Sequence, residues 1–263
     1  MPAICWAFPA TDMSVERQII SRGLVAGAFG GVLAFAFARL FVDSALDRAI
    51  DFEHARAGDE VGVHEHGVEL FSRGVQANVG MAVGVVAFSL AMGALFSIAF
   101  ITAYDRFGGL GPRALSIQLA LGAFGAGAFV PFLKYPPNPP AVGLPESLRD
   151  RTGWYLLMVL LSLTLAIVAV GLGHRMAARV GQWGASLLAV AAYLLAMMLV
   201  MLVLPGVAET PQDFPADALY DFRLYSLLTQ LVMWASIGVL FGSLESRPRA
   251  ERSPTEGAVR GAG

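Results

Sequence analysis

Long apolar runs separated by short polar clusters dominate this chain. Ignoring histidine, the stretches without charge are Gly23–Ala38, Gly74–Tyr104, Ala114–Leu133, Thr152–His174, Val180–Ala208 and Leu224–Leu244. The hydrocarbon core of a bilayer takes about 20 apolar residues per helix. The pattern therefore predicts membrane-crossing helices near residues 19–42, 78–103, 113–133, 153–173, 184–205 and 223–244. The first must accommodate Arg39, whose flexible stem carries the charge toward the headgroups from a position near the helix end. The expectation is an all-α integral membrane protein, a polytopic bundle of about six transmembrane helices. One membrane domain spans residues 17–245, with outer loops at 43–77, 134–152 and 206–222. Residues 1–16 read as a disordered extension and 246–263 as a disordered cytoplasmic tail. The extension lacks the basic start of a secretory signal and contains Asp12 and Glu16, and Met13 is a candidate initiator.

Composition strengthens this picture. Of 263 residues, 56% are hydrophobic and 14% charged, with a mean hydropathy of +0.64. A soluble domain carries about 25% charged residues, so the polar surface that water requires is missing. A net charge of −2 argues against a basic nucleic-acid binder. Cys5 is the single cysteine, which leaves no internal disulfide and no cysteine cluster for a metal. The sole lysine, Lys134, does not sit in a phosphate-binding loop. No Asp or Glu lies inside an expected span and no HExxH occurs, so an intramembrane enzyme or a carboxylate proton relay has no visible machinery. The expectation is a non-enzyme without a cofactor.

The loops set an orientation. The short turns after the second and fourth helices carry Arg106 with Arg113 and Arg175 with Arg179. Density of arginine in short loops marks the cytoplasmic side, which places both termini in the cytoplasm. The opposite side holds fourteen acids against seven bases, an anionic surface that concentrates cations. Glycines at 23, 27 and 31 and at 80 and 84 form GxxxG patterns, which allow helices to approach closely.

Candidate chemistry gathers in the first outer loop. Asp43, Asp47 and Asp51 follow at four-residue spacing in a segment that reads as helix, with His54 three further on, so all four can share one face. His64, Glu65 and His66 follow. Imidazole with carboxylate suits a borderline divalent cation such as cobalt, nickel or zinc. A solvated amphipathic helix running into an ordinary acidic loop would carry the same residues, and both readings stand at this point. In mid-span, Gln118 and Gln230 are candidates for lining a transport path or for helix-to-helix hydrogen bonds. The segment Lys134, Tyr135, Pro136, Pro137, Asn138, Pro139 and Pro140 forms a stiff extended exit from the third helix, because proline cannot continue it.

Several stretches are familiar in combination. FARLFVDSALDRAIDFE, FSRGVQ, VPFLKYPPNPPAVG, RTGWYLLM and FPADALYDFRLYSLLTQLVMWASIGVLFGSL resemble the CbtA family of cobalt transporter subunits, over about residues 17–245. The resemblance implies a multi-pass protein of the bacterial cytoplasmic membrane that supplies cobalt for cobalamin synthesis. It also implies a small single-span CbtB partner with a histidine-bearing end. The expected function is a subunit of a divalent metal importer, gathering cobalt or another divalent cation at its acidic, histidine-bearing outer face and passing it through the helix bundle. The alternative is a non-transporting membrane scaffold that presents a metal- or partner-binding surface.

Overall fold

The computed structural model describes residues 13–59, 79–104, 106, 110–139, 148–206 and 214–246. Apart from short connections they are helical. Helix α1 spans Met13–Asp59, α2 Met81–Tyr104 and α3 Pro112–Phe124. A π-helical segment, Gly125–Phe129, continues α3 into α4, Val130–Lys134. Helices α5, Leu148–Val203, and α6, Ala216–Glu245, complete the chain. Five stretches are long and apolar enough to cross a membrane, α3 through α4 counting as one.

Helix α5 would be about 84 Å long if straight, far beyond a bilayer core of about 30 Å. It breaks at Gly181, where φ is 76° and ψ 164°, a conformation essentially reserved for glycine. The two arms fold back on each other. Ser162 and Tyr193 share a 2.7 Å hydrogen bond, Met158 and Met197 are buried in one cluster, and Gly173 lies against Ala185 and Ala189. The chain therefore crosses six times, in agreement with the expected count. The reversal takes a single glycine where the sequence suggested a loop between two helices.

The helices are longer than the apolar runs. Helix α1 begins at Met13, inside the stretch expected to be an extension, and continues to Asp59, well into the expected outer loop. At about 70 Å it projects beyond a bilayer core at one end. There its Ala45 and Ala49 are fully buried, Phe52 meets Phe214 edge-on at 5.2 Å, and Arg48 reaches Asp221 at 2.6 Å and Asp217 at 4.0 Å. The projection therefore packs beside the start of α6. At the opposite end Arg22 pairs with the buried Glu245 at 2.9 Å, tying the beginning of α1 to the end of α6.

Helix α1 is the centre of the bundle, flanked by α2 and α6, and α3 packs on the other side of α6. Small residues make this possible. Gly23, Gly27 and Gly31 face Ser89, Gly93 and Ser97 so closely that a methyl group on Gly27 would lie 2.5 Å from the Ser89 carbonyl oxygen. Ser89 donates to Gly27 O at 2.7 Å and Ser116 of α3 to Gly238 O of α6 at 2.7 Å. Hydroxyls of this kind satisfy themselves on a neighbouring backbone where lipid offers nothing. Phe96 and Phe100 each pack edge-on against Phe241, with ring centroids 5.3 and 4.9 Å apart. The glycine pattern at 80 and 84 does not pack: both residues are exposed and Gly84 has open space beside it. The face that α2 buries is instead the serine–glycine–serine row at 89, 93 and 97.

Candidate functional site

Helix α3 cannot run unchanged into Pro131, whose ring would collide with the carbonyl of Gly127 and which has no N–H to donate. The chain widens into a π turn there, with Val130 N–H bonding five residues back to Gly125 O. Helix α4 then ends at Lys134, and the prolines lead the chain away without regular structure through residue 139.

That exit is braced from three directions. The Tyr135 ring is buried, and its hydroxyl donates to Pro205 O at 2.7 Å, at the end of α5. Burial pushes the phenol above its ordinary range, which keeps the proton available for this bond. Arg151, at the start of α5, donates to Pro136 O at 2.6 Å. Arg223, in the second turn of α6, donates to Asn138 Oδ1 at 2.7 Å and to Pro137 O at 3.4 Å. Pro139 is fully buried, Lys134 is half-exposed, and Pro140 lies outside the described residues. Proline carbonyls serve as the acceptors because a polyproline-like stretch leaves them without internal partners.

Behind this brace lies a cavity of about 290 Å³ lined by Ala128, Phe132, Tyr135, Pro137, Arg151, Tyr155, Ser226, Leu227 and Gln230. Of the two glutamines singled out from the sequence, Gln230 faces this cavity, whereas Gln118 lies exposed on α3, away from it. The structure brings together Arg151, Tyr155, Arg223 and Ser226, which the charge and histidine patterns did not single out. A signal for them existed: they sit in RTGWYLLM and in FRLYSLLTQ, and these two stretches meet the proline stretch here.

The acidic series is distributed differently from a preformed metal site. Asp43 accepts from Arg39 one turn earlier, while Asp47 and Asp51 are exposed on the projecting part of α1. His54 lies on the same helix, with its side chain outside the described set, and His64, Glu65 and His66 lie outside the described residues altogether. Among the described residues no group of three or more His, Cys, Asp or Glu is placed to hold a metal ion.

Six apolar crossings, sealed by small residues and surrounded by exposed Leu, Ile and Val, define a multi-pass helical membrane protein. The chain belongs to the CbtA family, described as "Probable cobalt transporter subunit (CbtA)", whose family model matches residues 16–246. Neither a curated protein nor a solved structure matches it.

Proposed function

We propose that this chain is the membrane subunit of a divalent-cation importer, with cobalt as the transported ion, and that its acidic end gathers the cation. The observation that carries this reading is the family's description as a cobalt transporter subunit, joined to the chemistry of one end of the bundle. There Asp47 and Asp51 on α1 and Asp217 on α6, the last with 77% of its side chain exposed, stand on two packed helices. Exposed carboxylates on a rigid support concentrate cations near them. His54, His64, Glu65 and His66 extend the same chain segment and add borderline ligands. In this reading the acidic end is outside, the arginine-bearing turns and both termini are cytoplasmic, and the membrane is the bacterial cytoplasmic membrane.

Passage across the membrane calls on other subunits. Within the expected spans the chain has no carboxylate, and the buried polar side chains of the core are serine hydroxyls. Gln118, exposed in α3 and without a hydrogen-bond partner among the described residues, would in this reading line a path shared with a neighbouring helix. The single-span CbtB-like partner implied by the resemblance would supply such a helix. The protein is read as non-catalytic.

The same bare interior favours a second reading, a scaffold that presents a metal- or partner-binding surface without transporting. Cobalt uptake into proteoliposomes separates the two. The importer reading expects uptake only when this chain is present together with its partner. Uptake by the partner alone at an undiminished rate, with this chain binding cobalt but adding nothing, would establish the scaffold.

A further inference from the structure

The apolar packing within the spans falls into two bodies, and the boundary between them lies inside one crossing. One body joins α1, α2, α3 and α6 through residues such as Ala26, Phe96, Leu115 and Phe241, and along the third crossing it ends at Phe124. The other joins α4, the proline exit and both arms of α5 through Val130, Tyr135, Met158 and Met197. Between Phe124 and Val130 stand the five π-helical residues Gly125–Phe129. The α5 hairpin rests mainly on this segment and on α4.

The π segment is built to bend. Its ladder is widened to five-residue bonds, as from Val130 N–H to Gly125 O, and such turns interrupt the regular helix on either side. Gly125 and Gly127 place two residues without a Cβ in it. Packing does not require them, in contrast to Gly27. A Cβ at Gly125 would meet nothing within 4 Å, and at Gly127 the nearest atom is Leu163 Cδ2 at 4.0 Å. Backbone geometry does not require them either, since positive φ among the described residues occurs at Gly181. Glycine weakens a helix relative to alanine through its backbone freedom, and that freedom is what the pair contributes. The seam beside the segment is loosely filled. The cavity behind the brace runs along it, open on one side, with Arg151 and Tyr155 of α5 facing Ser226, Leu227 and Gln230 of α6. Helices separated by such a gap forgo the dispersion contacts that close the α1–α2 seam. Arg223 spans the gap at the proline end, from α6 to Asn138 Oδ1 at 2.7 Å and Pro137 O at 3.4 Å.

We propose that α4, the proline exit and the α5 hairpin move as one body against α1, α2 and α6, pivoting on Gly125–Phe129, with Arg223 and Asn138 as the latch. The hairpin tip at Gly181 lies about 27 Å along α5 from Leu163, so a swing of about 10° carries it through about 5 Å. The movement is a property of the fold, whatever the chain carries. Under the importer reading it would widen and narrow the cavity, as one bundle rocks against another in other transporters.

The test uses the full-length chain in lipid nanodiscs without cobalt, so its result is independent of the transport reading. The single cysteine, Cys5, is replaced by serine, and spin labels are placed through Ser21→Cys on α1 and Gln182→Cys at the hairpin tip, both exposed. The control pair, Ser21→Cys with Val83→Cys, lies within the first body across the tight α1–α2 seam. Pulsed electron spin resonance should give a distance distribution several Å broader for the hairpin pair than for the control. Gly125→Ala with Gly127→Ala clashes with nothing and leaves the hairpin turn untouched. It should narrow the hairpin distribution toward the control width without lowering the unfolding temperature. Asn138→Ala removes the shorter bond of the latch and should raise the ratio of swung to latched forms on the order of tenfold, the worth of a hydrogen bond to a charged group. A hairpin pair as narrow as the control would show one rigid bundle and overturn the proposal. A broad distribution that the alanine pair leaves unchanged would place the movement elsewhere and overturn the hinge. No response to Asn138→Ala would overturn the latch.

Discussion

Replacing Gly27 by alanine sets a methyl group against backbone atoms that cannot turn aside. The new carbon would lie 2.5 Å from the Ser89 carbonyl oxygen and 3.1 Å from the Leu90 Cα, with the Gly93 Cα at 3.2 Å. Restoring ordinary contact requires α1 and α2 to separate by about 1 Å, which loosens dispersion contacts along the seam. The hydrogen bond from Ser89 to Gly27 O, now 2.7 Å, would lengthen with them. Overpacking of a tight interior costs about 1–3 kcal/mol and an interhelical hydrogen bond in lipid about 0.6 kcal/mol. The expected loss is therefore about 2–4 kcal/mol. Equilibrium unfolding in mixed micelles by increasing SDS measures it. Gly84→Ala is the matched control, because Gly84 has nothing within 4 Å. If the Gly27 variant proves as stable as the Gly84 variant, the close α1–α2 seam is wrong, and with it the argument that small residues set the centre of this bundle.

Further outcomes follow from other parts of the molecule. Gly181→Ala should lower stability by about 1–3 kcal/mol in the same unfolding assay, since φ of 76° with ψ of 164° strains any residue with a Cβ; no loss would mean that the hairpin turns elsewhere. Alanine in place of Pro136, Pro137, Pro139 and Pro140 should reduce cobalt uptake while the protein still inserts, because the carbonyls held by Arg151 and Arg223 would no longer be presented by a stiff backbone; unchanged uptake would make the segment a simple linker. Changing His54, His64 and His66 together to alanine should raise the cobalt concentration for half-maximal uptake and leave the maximal rate largely intact. In the unaltered protein, cobalt binding should weaken as pH falls through the ordinary imidazole range, about 6.5, because a protonated imidazole cannot ligate. Equal binding by the triple variant would leave only a solvated loop. Reporter fusions should place Gly109, Gln182 and Gly263 in the cytoplasm and Glu65, Asn138 and Asp213 outside; reversed labelling of Asn138 and Gln182 would invert the orientation and remove the metal-capture account.

The number of crossings and their approximate limits were legible from residues alone, because transfer into lipid depends on local composition over a helix length. The stiff exit after the third crossing was equally legible, since four prolines restrict the backbone wherever they stand. Lateral packing was not. In water a helix shows its buried face as an apolar stripe, but lipid is as apolar as a protein core, so hydropathy does not distinguish the face that α1 buries from the face it exposes. Two glycine patterns looked alike in the sequence; only the one at 23, 27 and 31 meets a complementary row of small residues on α2. Arg151 and Arg223 looked like ordinary charges at helix ends. Their capture of carbonyls 15 and 86 residues away exists only because three separate crossings converge. Such long-range partners are chosen by the rotation and tilt of whole helices, which backbone contacts between small residues determine and which no single segment encodes.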